Sequence, residues 1–384
     1  MKPKARLFLI KKNILISILL IAYLFIHLSL TRNFVFNVQV IKYIPIVLIA
    51  IFMFITRESM RFDLTSTIGL IWFLFFTTLF TIVNGFDYGD VVILFGYWVA
   101  AYIYFGACDG GLYLEEAIEK SLMIFGLFFL LTTFVYIGDP ASYSLIKNQF
   151  QGGLDNANAF AGLCGMFLLF FLFLRVKKNN NIFRYLIIIS FGVFLLLAAS
   201  RGAILSVFLA IIIYFLRYIN IRNAFFIAFF VLLFLLIGSG LVLGYIDFSL
   251  ITDREITEDT GRNLIIDDYL NKFSETYFLL GTGVSINAGR FKSELAYLDV
   301  ILMSGIGAIG FFIYLIRSLY FSVRHSRAIF GWPEILFLYI SIVSLVEGYV
   351  SNIASILSIL FYMLPALFVI KMRNLRYIYK ANCC

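Results

Sequence analysis

YIDFSLITDREITEDTGRNLIIDDYLNKFSETYFLLGTGVSINAGRFKSE, residues Tyr245 to Glu294, is a polar island in an apolar chain. Between Asp247 and Glu294 it carries nine acids (Asp247, Asp253, Glu255, Glu258, Asp259, Asp267, Asp268, Glu275 and Glu294). Five bases oppose them (Arg254, Arg262, Lys272, Arg290 and Lys292), leaving a net of −4 in a protein whose total is +8. Loops longer than about 12–15 residues are usually functional or disordered. This one has an apolar rhythm at Leu264, Ile265, Tyr269, Leu270, Phe273, Tyr277 and Phe278, near helical spacing. We read residues 246–294 as a folded extramembrane lid with at least one amphipathic helix, and as the place where chemistry happens.

What flanks the island decides the fold class. Of the 384 residues, 62% are hydrophobic and 14% charged, with 45 Phe and 23 Tyr. A soluble domain is nearer half apolar and a quarter charged. The polar residues fall in short clusters between apolar runs of about 17–25 residues, the length that crosses a hydrocarbon core. The alternating ten-residue segments of a β-barrel are absent. The expectation is an all-α polytopic membrane protein, a single integral domain over 1–384. Twelve spans are expected, at about 14–31, 38–56, 64–84, 90–107, 118–138, 157–174, 185–200, 203–217, 223–245, 295–316, 333–351 and 353–370. Lys2, Lys4, Arg6, Lys11 and Lys12 precede the first run as in a signal peptide. That run is long, however, and Ser29-Leu30-Thr31-Arg32 offers no small-x-small cleavage site, so it reads as an uncleaved first span.

Orientation follows from the bases. With Met1 inside, 21 of the 30 Lys and Arg fall on inner segments and 9 on outer ones. Both termini are therefore expected inside and the acidic loop outside. This bias also accounts for the +8 charge without a nucleic-acid partner. In a bacterial-type inner membrane the outer compartment holds no ATP, so a reaction there must use an already activated substrate. No cysteine pair falls in the long loop, and no structural disulfide is expected. His27 and His325 are isolated and no ligand spacing suits a metal, so none is expected.

Several polar groups at the outer boundary could carry chemistry. Ser200-Arg201-Gly202 lies between two short apolar runs. It reads either as a hairpin turn whose Arg snorkels to lipid phosphate or as a fixed cation gripping an anionic head group, for which a guanidinium fork is suited. Arg262, after Gly261, is either a solvated ion pair of the loop or the second half of a pyrophosphate clamp with Arg201. Gly281-Thr282-Gly283 is a lone GxG, equally a loop between helices. Where the chain re-enters the membrane, Arg290 and Lys292 precede Glu294, with Tyr297 and Asp299 just beyond. Glu294 is either a general base or a helix-start acid favoured by the dipole. Asp155, Asn156 and Asn158 offer one helix cap and spare amides for sugar hydroxyls. Glu347 is an acid within a span, or one that reaches the outer surface.

In order and spacing over roughly residues 145–315, these pieces resemble the O-antigen polymerase (Wzy) and O-antigen ligase superfamily of bacterial membrane glycosyltransferases. The matching residues are Asn156-Ala157-Asn158-Ala159-Phe160-Ala161, Ser200-Arg201-Gly202, Gly261-Arg262, Gly281-Thr282-Gly283 and Glu294-Leu295-Ala296-Tyr297-Leu298, followed by Ser304-Gly305-Ile306-Gly307. The ligases resemble one another in a His-Asn pair where this chain has Ser293-Glu294, which favours polymerase over ligase. The resemblance implies a GT-C-like architecture and an inverting, metal-independent transfer with no cofactor, in lipopolysaccharide or related polysaccharide synthesis. It implies a growing glycan on undecaprenyl pyrophosphate as donor, one repeat unit on the same lipid as acceptor, and a chain-length regulator as protein partner. Catalytic roles then fall to Arg201, Arg262 and Glu294, and substrate-binding roles to Arg290, Asn156, Asn158, Tyr297 and Asp299. A flippase for the same lipid is the competing class, but its spans would need buried charge that these largely lack.

Overall fold

The computed structural model describes residues 14–26, 43–55, 63–85, 87–107, 111–143, 149–154, 156–174, 181–218, 279–284, 295–324, 331–351 and 355–382. The ninth expected span and all of the lid except 279–284 lie outside them, as do Arg262, Arg290 and Glu294. The described residues are helical, and no strand occurs among them beyond one isolated bridge between Tyr143 and Phe150. In chain order the helices are α1 (Ile14–Ile26), α2 (Tyr43–Ile55), α3 (Leu64–Val83), α4 (Tyr88–Ala107), α5 (Gly111–Tyr136) and α6 (Ala157–Phe173). They continue with α7 (Asn181–Leu197), α8 (Arg201–Tyr218), α9 (Ala296–Ser304), α10 (Ala308–Arg324), α11 (Trp332–Val343) and α12 (Ile356–Asn382).

Four stretches are long and apolar enough to cross a membrane, namely Leu64–Val83, Gly89–Gly106, Leu114–Tyr136 and Ala296–Ser322, with shorter apolar helices beside them. The outer faces agree with that setting. On α3 the large apolar residues Ile68, Trp72, Phe75, Leu79 and Ile82 are exposed at helical spacing, while Leu70, Phe73, Leu74 and Phe80 are buried. A water-soluble surface does not tolerate such a stripe; hydrocarbon does.

The centre of the bundle is α11, buried from Trp332 to Ser341 on every side, with α6 and the first half of α12 against it. Backbone groups in lipid must be satisfied within the protein, and several irregularities among the described residues show how. Pro365 inside α12 has no N–H for the Phe361 carbonyl, and the Tyr314 hydroxyl donates to it instead (3.3 Å). At two helix starts a side chain takes up a backbone N–H: Asp63 Oδ2 accepts from Ser66 N at 3.0 Å, and Glu334 Oε2 from Gly331 N at 3.0 Å. Between helices, Arg317 forks onto Asp63 (3.2 and 3.1 Å), and Lys371 bridges Glu334 and Glu115 at 3.0 Å each.

The tenth expected span is not one helix. α9 and α10 are separated by a 3-10 turn, Gly305–Gly307, with Gly305 at φ +51°. Into that break packs Leu279–Val284, the part of the lid that the structure describes. Thr282 N donates to the Leu302 carbonyl (2.8 Å) and Gly283 N to Met303 (3.0 Å), while the Gly281 carbonyl accepts from Asn84 Nδ2 (3.0 Å) and Val284 N donates to Thr81 Oγ1 (3.0 Å). Gly281-Thr282-Gly283 is thus a backbone plug seated in a broken helix rather than a simple loop.

Candidate functional site

Ser200-Arg201-Gly202 begins a helix instead of forming the turn itself. α7 stops at Leu197, and only three residues intervene before α8 starts at Arg201. The tight reversal is made by Ala199, whose φ of +50° is in the left-handed region, with Ala199 N donating to Leu196 (2.9 Å). The carbonyls left over at the end of α7 are taken up by the 149–150 segment: Phe150 N donates to Leu197 (3.2 Å) and Gln149 Nε2 to Ala199 (3.4 Å). Ser200 is buried and Arg201 is exposed. Arg201 is therefore an exposed side chain on the first turn of α8.

Asn156 is the N-cap of α6, its Oδ1 accepting from Asn158 N (2.8 Å) and Ala159 N (3.3 Å). The cap expected of one Asx residue is Asn156, which leaves its amide nitrogen on the exposed side. The Asn158 carbonyl accepts from the Tyr349 hydroxyl at 2.6 Å. Tyr297 and Asp299 lie in the first turn of α9 but face inward. The Tyr297 hydroxyl donates to the Ser341 carbonyl near the end of α11 (2.8 Å), and its ring packs near Phe311 and Phe312. Asp299 is 5% exposed and accepts from Ser351 Oγ at 2.9 Å.

These residues meet on a segment that the sequence reading treats as the end of a span. α11 stops at Val343, and Ser344–Ser351 is non-helical. Tyr349 ties this segment to α6, Ser351 ties it to Asp299 of α9, and the Tyr97 hydroxyl of α4 donates to the Ser351 carbonyl (2.6 Å). Val346 and Glu347 press against the start of α8. A Cβ on Gly202 would lie 2.7 Å from Val346 Cγ2 and 3.7 Å from Glu347 Oε1. The structure thus joins Asn158 and Asp299 to one segment, with the helix starts that carry Asn156 and Arg201 beside it. Tyr297 anchors the same region from beneath.

Glu347, an acid that the sequence singles out without giving it a site role, also lies at this corner. Its signal, an acid inside an apolar run, was present; its neighbourhood was not, because Gly202 is 145 positions earlier in the chain. Among the described residues no group of three His, Cys, Asp or Glu is placed to hold a metal ion. Chemically, the corner combines an exposed guanidinium, two N-terminal helix ends and two buried carboxylates. Guanidinium and helix starts both favour phosphate oxygens. Compared with known protein families and with curated proteins, the chain matches none.

Proposed function

We propose that this chain polymerises a lipid-linked oligosaccharide at the outer face of a bacterial inner membrane, as an O-antigen or related surface-polysaccharide polymerase of twelve spans with both termini inside. The observation that carries the reading is the exposed Arg201 on the first turn of α8, gathered with the Asn156-capped start of α6 at one end of an apolar bundle. In this reading Arg201 and Arg262 hold the donor's pyrophosphate and stabilise the charge that develops on it, the electrostatic role that usually dominates such transfers. The acceptor hydroxyl attacks the anomeric carbon of the donor. The bond from that carbon to the diphosphate breaks with its electron pair going to the diphosphate, and the hydroxyl proton passes to Glu294. Asp299 suits the base role less well, since it is 5% exposed and engaged by Ser351. Arg290 and the Asn156 amide orient phosphates and sugars; Asn158 and Tyr297 hold the walls.

The test is a deletion strain complemented with variants and read on a silver-stained lipopolysaccharide gel. Arg201→Ala and Arg262→Ala, each verified as expressed, are expected to lose long chains and leave core capped by a single repeat, with Glu294→Gln shortening them. Full ladders from both arginine variants refute the clamp. A deletion that leaves core with no repeat points to a flippase. Core without repeats alongside polymer accumulating on the lipid carrier points to a ligase.

A further inference from the structure

Glu347 has no part in the transfer described above. It is 7% exposed among apolar helices, where a carboxylate is costly without opposite charge or donors. Tyr339 and Tyr349 lie within its electrostatic reach, yet their hydroxyls donate elsewhere, to the carbonyls of Gly162 (2.9 Å) and Asn158 (2.6 Å). A phenol has one hydrogen to give. Among the described residues Glu347 also stands against the start of α8, its Oε1 3.7 Å from where a Gly202 side chain would begin. A helix start presents unpaired N–H groups and the positive end of the dipole, and Arg201 is the residue just before. Glycine at 202 is what admits this approach, since any Cβ there meets Val346 at 2.7 Å.

We propose that Glu347 is the positioning carboxylate of the Arg201 corner: seated against the first turn of α8, it holds the guanidinium at the outer end of the bundle, aimed at a diphosphate head group. The ligand named here rests on the polymerase reading. The electrostatic link between positions 347 and 201 does not. Ser200-Arg201-Gly202 then divides its labour, with Arg201 meeting the ligand and Gly202 making room for the acid that aims it.

The link is tested without ligand in the full chain carrying Arg201→Cys, reconstituted in nanodiscs. Rates of thiol modification by a cationic and an anionic methanethiosulfonate are compared, with the chain lacking Arg201→Cys as background. Adding Glu347→Gln should lower the cation-to-anion rate ratio by about threefold or more, the effect of one charge several Å away in a largely aqueous medium. Gly202→Ala should lower it likewise by displacing Val346 and Glu347, and Val346→Ala on top should restore it. An unchanged ratio with Glu347→Gln overturns the proposal. Binding of farnesyl diphosphate separates this from the functional reading. With Arg201 in place, Glu347→Gln should weaken binding several-fold, and it should add nothing to Arg201→Ala. Tighter binding by Glu347→Gln means the carboxylate only repels anions, and overturns positioning. If the unsubstituted chain does not bind the diphosphate, or binds it no better than Arg201→Ala, the polymerase reading of the corner fails while the rate ratio still decides on Glu347.

Discussion

Charges paired between helices differ in what they contribute. Asp63 is both the cap of α3 and the partner of Arg317. Burial pushes its pKa up, but the Arg317 hydrogen bond and the Ser66 backbone and side-chain bonds outweigh it and hold the carboxyl below its ordinary value. A carboxylate depressed in the folded state stabilises the fold above its unfolded pKa and loses that contribution as the pH falls through the lowered value. Asp63→Asn is therefore expected to cost about 1–2 kcal/mol at neutral pH and to flatten the acid limb of a thermal-unfolding series in detergent. Lys371 is the more demanding case, because it is buried between Glu334, which is fully buried, and Glu115. Removing one member of a buried ion pair costs about 3–5 kcal/mol. Lys371→Met should thus destabilise the chain far more than Glu115→Gln, measured as midpoint shift and yield. Neither network can be read from the sequence, where Arg317 and Lys371 count only as two more bases in the charge bias; only the fold shows which charges meet.

Breaks in helices are where the elements carry information. The Gly305 break exposes two α9 carbonyls, and the Gly281-Thr282-Gly283 plug covers them. A Cβ on Gly305 would stand 2.8 Å from the Leu279 carbonyl oxygen, in a backbone region that disfavours side chains. Gly305→Ala should therefore release the plug and lower stability by about 2 kcal/mol or more, seen as reduced membrane yield and new protease cleavage near 279–284. Ala199 is the opposite case, since it already occupies a glycine-like conformation at the α7–α8 reversal. Ala199→Gly should be neutral or stabilising by up to about 1 kcal/mol, read from the unfolding midpoint. The sequence marked Gly281-Thr282-Gly283 only as a lone GxG, and its apolar pattern ran the tenth span straight through Gly305. That one fits into the other could not be read from it, because a lone GxG has the same appearance in an open turn.

Taken as a bundle, the chain places its exposed surface and its charges as a lipid-embedded protein must. The stripes of exposed Ile, Phe and Leu suit detergent or bilayer, and the bias of Lys and Arg gives an orientation that labelling can check. Asn156→Cys and Arg201→Cys are expected to react with a membrane-impermeant thiol reagent in intact spheroplasts, and Glu116→Cys, at the exposed opposite end of α5, only after lysis. The reverse pattern would turn the protein over and remove Arg201 from the compartment in which a periplasmic transfer takes place.

Hydropathy, charge bias and capping are properties of short stretches, so the sequence alone determined the apolar helical class, an expected orientation, and that one Asx residue caps the start of α6. Which faces touch was decided only in three dimensions. Helices made for lipid are apolar all round, and packing among them depends on small residues and scattered polar bonds rather than on a hydrophobic stripe; periodicity therefore does not reveal the buried side. The contacts that build the corner join residues far apart, Asn158 to Tyr349 across 191 positions and Asp299 to Ser351 across 52. Tertiary structure turned Tyr297 inward to the α11 carbonyl, seated the glycine plug, and brought Glu347 against the helix start that carries Arg201.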